Sequence, residues 1–173
     1  FIMKRVLFLI LIFLKSFAIA QEFPPSPAPL QLEDGNKVVF LGDSITHQCL
    51  YTQYVENYFY TRYPDKKISF INAGVSGDRA RDALERFDQE VGKVKPQVVI
   101  VLIGMNDGEY QPFEPKLFQT YKKDMSEILT RISKLGAKPV LLSPTFFDLK
   151  QAQKRESFRE TRDFYYNSTL QYF

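Results

Sequence analysis

The chain has 173 residues, of which 45% are hydrophobic, 15% aromatic and 25% charged. That suits one globular domain and excludes a disordered tail, a collagen-like rod or a multidomain assembly. A single Cys and a single His exclude an intrachain disulfide framework, a multi-cysteine zinc site and a histidine-rich metal cluster. The formal charge of +3 belongs to the leader: Lys4, Arg5 and Lys15 have no acidic partner among residues 1–20, and the remainder is balanced. A nucleic-acid partner is therefore not expected.

Residues 1–20 read as a signal peptide. Lys4 and Arg5 precede an apolar run from Val6 to Leu14, and Ala18-Ile19-Ala20 supplies the small-x-small pattern of a cleavage site. Lys15 breaks the run well short of the roughly 20 residues a bilayer span needs. The expectation is cleavage after Ala20, a mature protein that is secreted or periplasmic, and no stable membrane span. Cys49 is then expected to be a buried free thiol. Residues 21–36, with Pro24, Pro25, Pro27 and Pro29, read as a Pro-rich linker, and residues 37–173 as the folded domain.

From Lys37 onward strands and helices alternate. Val38-Val39-Phe40-Leu41 has the continuous apolar character of a strand covered on both faces. Tyr51, Tyr54, Val55, Tyr58 and Phe59 follow at helical spacing, and Pro64 ends that helix. Ile68-Ser69-Phe70-Ile71 is a second strand. Ala80, Ala83, Leu84, Phe87 and Val91 mark a second helix. Val98-Val99-Ile100-Val101-Leu102-Ile103 is the strongest strand. Leu117, Phe118, Tyr121, Met125, Ile128, Leu129 and Ile132 mark a third helix, with Gly136 placed at its end. Val140-Leu141-Leu142 is a fourth strand, and the last residues begin a fourth helix. This alternation implies a parallel α/β sheet with helices on both faces, in which ligands bind beyond the carboxyl ends of the strands.

Three successive strands deliver small polar turns to that rim: Gly42-Asp43-Ser44-Ile45-Thr46, Asn72-Ala73-Gly74-Val75-Ser76-Gly77-Asp78 and Gly104-Met105-Asn106-Asp107-Gly108. Turn chemistry alone accounts for each singly. Together they also offer the parts of acyl transfer: a hydroxyl at a helix start in Ser44, a bare backbone N–H in Gly77 and a carboxamide in Asn106.

These turns resemble, in order and spacing, the first three sequence blocks of the GDSL/SGNH hydrolases, and the likeness runs from about Lys37 to the end of the chain. The resemblance implies a three-layer α/β/α sandwich with a flavodoxin-like parallel sheet and ester hydrolysis with no metal or organic cofactor. It assigns Ser44 as nucleophile and Gly77 and Asn106 as oxyanion donors. Gly74 is the alternative donor; Gly77 is preferred because the family's donor glycine directly precedes the Asp that is Asp78 here. The family's fourth block, Asp-x-x-His, supplies the base and the acid that orients it, and this sequence does not contain it. The expectation is a domain that stops short of that block, of a fifth strand and of a last helix. It would then be weakly active or inactive as it stands. His47 is the only histidine; without an evident acid partner, and at a helix start that disfavours imidazolium, it reads as a local structural or substrate-facing group.

Asp43 and Asp107 are expected to satisfy backbone N–H groups. Phe146-Phe147 are expected in the core, with a place in an acyl or sugar pocket as the alternative. Lys150, Lys154, Arg155, Arg159 and Arg162 read as a solvated helix face, and the sequon Asn167-Ser168-Thr169 as without that role. The combined reading is an exported serine esterase acting through an acyl-enzyme on a small-molecule or polysaccharide ester, carbohydrate O-acetyl groups being favoured. A lysophospholipase-like lipid acylhydrolase and a non-catalytic glycan- or anion-binding module remain the alternatives.

Overall fold

A computed structural model describes residues 30–155 and 166–173. The chain divides after Gln31, and the fold below is that of Leu32–Phe173. The expected signal peptide, the proline-rich part of the linker and the basic run beyond Arg155 lie outside the described residues. The linker, read as ending at residue 36, ends earlier. Leu32 is buried, the Lys67 N–H donates to Asp34 Oδ1 at 2.6 Å, and Asn36 closes a turn onto Glu33 at 3.1 Å. No proline follows Pro29 in this stretch, and Asp34-Gly35-Asn36 turns the chain into the first strand.

The elements in chain order are β1 (Lys37–Gly42), α1 (Ser44–His47), α2 (Leu50–Arg62), β2 (Ser69–Gly74), α3 (Ala80–Glu90), β3 (Val98–Leu102), α4 (Pro115–Lys134), β4 (Lys138–Leu141), α5 (Leu149–Ala152) and α6 (Tyr166–Leu170). The four strands form one sheet in the order β2-β1-β3-β4, and every pair is parallel. Gly42 at the end of β1 is level with Gly74 on one side and Leu102 on the other. The chain winds from β1 outward to β2 and then crosses to β3, so the point where the winding reverses lies between β1 and β3. The fold is a three-layer α/β/α sandwich of the kind expected from the sequence.

Alternation along β1 and β3 sends successive side chains to opposite faces. Val39, Leu41, Val99, Val101 and Ile103 join Ala83 and Phe87 of α3 and Met125, Ile128 and Ile132 of α4 in the main core. On the other face Phe40 packs edge-on against Tyr51 of α2 and stacks on Phe70. The stripes read for α3 and α4 are thus the buried ones. The α2 stripe is not: Tyr54 is 78% and Tyr58 53% exposed, and the buried residue of that helix is Thr52. Helix α2 covers the edge strand β2, and a tyrosine can keep its hydroxyl wet while its ring makes local contacts. Cys49, expected buried, is partly exposed and its Sγ–H donates to the His47 carbonyl at 3.3 Å. It occupies a left-handed backbone position (φ 62°) between α1 and α2, which keeps it at the surface. Leu141 and Leu142 are exposed, and among the described residues no strand pairs with the outer edge of β4.

Phe87 is 1% exposed at the centre of the α3–sheet contact. Phe87→Ala is expected to lower unfolding free energy by about 3–5 kcal/mol, read from the shift of a urea midpoint at unchanged slope.

Candidate active site

The end of β1 is shaped by a carboxylate. Asp43 is buried and its Oδ1 accepts the Ile45 N–H at 2.9 Å, capping α1 so that Ser44 is its first residue. Burial pushes the Asp43 carboxyl up from its ordinary range, against the Ile45 hydrogen bond and with the nearby Asp78 charge. Ser44 is partly exposed. Among the described residues its Oγ makes no hydrogen bond, and neither do the backbone N–H groups of Ser44 and Gly77.

Helix α1 lies directly against the end of β2. A Cβ at Gly74 would run into the His47 nitrogen and Thr46, so only glycine lets the two turns approach. The Asn72 amide donates to the Thr46 carbonyl at 2.7 Å, and the Val75 N–H donates to the Gly42 carbonyl at 3.0 Å. His47 is exposed, and its Nδ1 donates to the Gly74 carbonyl at 3.1 Å. It makes no hydrogen bond with Ser44. Gly77 has φ +88°, with open space where a side chain would stand, so its N–H is approachable and a residue with a Cβ would be strained there.

The third turn is fastened to the second. Asn106 Nδ2 donates to the Asp78 carbonyl at 2.9 Å, and Asn106 Oδ1 accepts from the Tyr110 hydroxyl at 3.1 Å. The carboxamide is held at both ends, yet one of its two N–H bonds is left over. Tyr110 reaches it from consecutive left-handed positions, Glu109 and Tyr110 both at φ 56°, a costly backbone that the hydrogen bond helps to hold. Asp107 Oδ1 accepts the Ala80 N–H at 3.0 Å, as Asp43 does for Ile45. Its Oδ2 is buried with no partner among the described residues. Burial drives the Asp107 carboxyl up to about 6, opposed by the Ala80 N–H and the Arg79 charge.

One side chain ties the rim together and was not legible in advance. Arg86 of α3 donates through Nε to Asp78 Oδ2 at 2.6 Å and through Nη2 to the Gly42 carbonyl at 3.1 Å, with Glu90 as a third partner. It bridges the residue two before Ser44 and the residue one after Gly77. In the sequence Arg86 sits beside the apolar stripe of α3, where an arginine ordinarily extends to solvent; here it is mostly buried.

A cleft of about 290 Å³ opens over Ser44, lined also by Met105, Tyr110, Phe146 and Phe147 and by polar groups of α5. Ser44 lines it while Gly77 and Asn106 do not, and the turns carrying those two residues meet at the Asp78 carbonyl. Of the Phe pair, Phe147 packs inward against Tyr110 and Tyr166. Phe146, expected in the core, is 76% exposed, because it is the Phe147 backbone that Asn167 clamps and the Phe147 ring that the aromatic cluster takes in. Asn167, the first residue of the sequon, uses both ends of its amide on the Phe147 backbone. Among the described residues no cluster of three or more His, Cys, Asp or Glu could hold a metal ion, and no helix is long and apolar enough to cross a membrane.

A family model described as the GDSL-like lipase/acylhydrolase family matches residues 40–172. The chain belongs to that family. It is 26% identical over 158 residues to the acetylxylan esterase of Geobacillus stearothermophilus, covering 79% of this chain and 70% of that protein. It is 28% identical over 112 residues to an arylesterase of Vibrio mimicus, covering 61% of this chain and 53% of that one. The crystal structure of a catalytic mutant of the same acetylxylan esterase superposes with a TM-score of 0.60 at 27% identity, over 66% of this chain and 62% of that one. The chain therefore spans less than two thirds of that solved relative.

Two outcomes follow from the rim contacts. Arg86→Ala leaves Asp78 buried without its cation and is expected to cost about 3 kcal/mol by urea unfolding. Arg86→Lys keeps the charge but cannot span Asp78 and Gly42 together, so it recovers only part of the loss. Asp107 sets a pH dependence. Below about pH 4 the folded and unfolded chains both hold its proton. As pH rises from about 4 to about 6 the unfolded chain ionises first, so stability falls through that window and then levels off. Asp107→Asn has no such proton, and the difference between parent and variant should shrink across it by at most about 3 kcal/mol, measured by unfolding at fixed pH values.

Proposed function

We propose that the protein is an exported serine ester hydrolase acting on O-acetyl groups of carbohydrates. The observation that carries this reading is the unbonded Ser44 hydroxyl. It stands at the start of a capped helix beside the sheet's switch point, opens into a cleft, and is tied through Gly42, Arg86 and Asp78 to the turn of Gly77 and Asn106. In this reading Ser44 Oγ attacks the ester carbonyl carbon as its proton passes to a base. The oxyanion takes hydrogen bonds from the Ser44 and Gly77 N–H groups and the remaining Asn106 amide N–H. The alcohol leaves with the proton, and water then releases the acid from the acyl-enzyme.

The base falls to the family's Asp-x-x-His block, which these 173 residues do not contain. His47 is engaged with the Gly74 carbonyl, which argues against it in that role. The solved relatives include catalytic mutants of the acetylxylan esterase at an aspartate and at a histidine, in keeping with such a block. The acetyl-carbohydrate substrate is supported by the name of that relative. Export is supported by the leader pattern of residues 1–20, with cleavage after Ala20 to a secreted or periplasmic product.

The protein expressed from its complete gene is expected to react with a fluorophosphonate probe, and Ser44→Ala to abolish the label. A label that persists in Ser44→Ala removes Ser44 from the mechanism, and no label on the parent favours a binding module. Asn106→Ala is expected to lower kcat for p-nitrophenyl acetate about 100- to 1,000-fold; a change below about tenfold removes Asn106 from the oxyanion site.

A further inference from the structure

The lining of the cleft at Ser44 combines an aromatic part and a polar part. The aromatic part includes Phe146, 76% exposed. A phenyl ring left in water forgoes roughly 1.5–3 kcal/mol of burial, so its fixed presentation needs a reason. It is fixed because its neighbour is stapled. The Phe147 N–H donates to Asn167 Oδ1 at 2.7 Å, and Asn167 Nδ2 donates to the Phe147 carbonyl at 2.9 Å. The Phe147 ring packs on Tyr110 and Tyr166 with centroids 5.4 and 5.8 Å away. Tyr166 is in turn buried and donates to the Met105 carbonyl at 2.6 Å. The polar part is Asp148, Gln151 and Arg155, which line the same cleft. Asp148 commits Oδ1 to the Gln151 N–H at 3.0 Å, which leaves Oδ2 able to accept.

We propose that Phe146 is the stacking platform for a sugar ring on the alcohol side of the ester, whose hydroxyls meet Asp148, Gln151 and Arg155. This rests on Ser44 being the nucleophile of an ester hydrolase. A pyranose presents a flat C–H face and a rim of hydroxyls, which matches a lining that is part aromatic and part polar. An alkyl chain would cover Phe146 equally well, but it would strip water from a carboxylate, an amide and a guanidinium and give them no hydrogen bond in return. A volume of about 290 Å³ admits one acetylated sugar unit, with the rest of an oligosaccharide running out of the open end. The platform thus selects the alcohol, while the turns of Gly77 and Asn106 serve the reacting carbonyl.

The test is a binding comparison in the Ser44→Ala background, with the protein expressed from its complete gene and acetylated xylotriose as the probe, followed by calorimetry. Phe146→Ala is expected to weaken binding about tenfold, and Phe146→Tyr to hold it within about twofold. With Ser44 intact, Phe146→Ala is expected to raise KM for acetylated xylotriose by a larger factor than KM for ethyl acetate, which has no ring to stack. Phe146 is exposed, so these variants are not expected to disturb the fold. Equal affinity with and without the Phe146 ring, or no binding at about 10 mM probe, overturns the platform. An effect of Phe146→Ala confined to long-chain esters such as p-nitrophenyl decanoate overturns it in favour of an acyl groove. Tight, ring-dependent binding by a parent protein that neither hydrolyses ethyl acetate nor takes a fluorophosphonate overturns the alcohol-side assignment and the proposed hydrolysis together.

Discussion

The geometry of the rim depends on Asp78 being held at both its carbonyl and its carboxylate. Its carbonyl takes the Asn106 amide, its carboxylate takes Arg86, and Arg86 carries the connection on to the Gly42 carbonyl. Strands β1, β2 and β3 fix where each turn begins to within the spacing of a sheet. They do not fix how the turns face one another. That is settled by a polar network in a largely water-excluded place, where each bond is stronger than at the surface and each broken one costs more. Preorganised donors are useful to a reaction because they need not move as charge develops, and this network supplies that rigidity without placing any of its own members in the cleft.

The network also explains why three acidic residues can sit so close together. Asp43, Asp78 and Asp107 are all buried, and Asp43 feels the charge of Asp78 while Asp107 feels that of Asp43. Arg86 neutralises the middle member, and backbone N–H groups of Ile45 and Ala80 hold the outer two. Asp107 is the weak point, since one of its oxygens has no partner among the described residues. The carboxyl responds by keeping its proton to about pH 6 rather than by moving to water.

What could be read from the sequence follows from what leaves a periodic trace. The central strand β3 is apolar at every position because both its faces are covered, and the α3 and α4 stripes are apolar because they meet that strand. The three turns were legible through residue chemistry, and Gly42, Asp43 and Asp107 stand where backbone needs put them. Helix α2 misled because tyrosines at helical spacing look alike whether their rings face the sheet or the solvent. Arg86 left no trace, since its role comes from two residues, Gly42 and Asp78, that are 44 and 8 positions away. The reach of Phe146 was equally hidden: a Phe pair reads as core, and only the clamp of Asn167 on Phe147 decides which ring goes in.

That clamp links the two halves of the site. Tyr110 orients the Asn106 carboxamide through its hydroxyl, and its ring also packs on Phe147 and Tyr166. Tyr110, which orients the proposed oxyanion donor, and Phe147, the neighbour of the exposed Phe146, therefore lean on the same aromatic cluster. Since Tyr110 holds a left-handed backbone at φ 56°, that cluster must repay its strain, and loosening Phe147 or Tyr166 would release Tyr110 from Asn106. In the proposed reaction, the Phe146 side of the cleft and the Asn106 carboxamide are thus coupled through one aromatic packing unit, so a change in one is expected to be felt by the other.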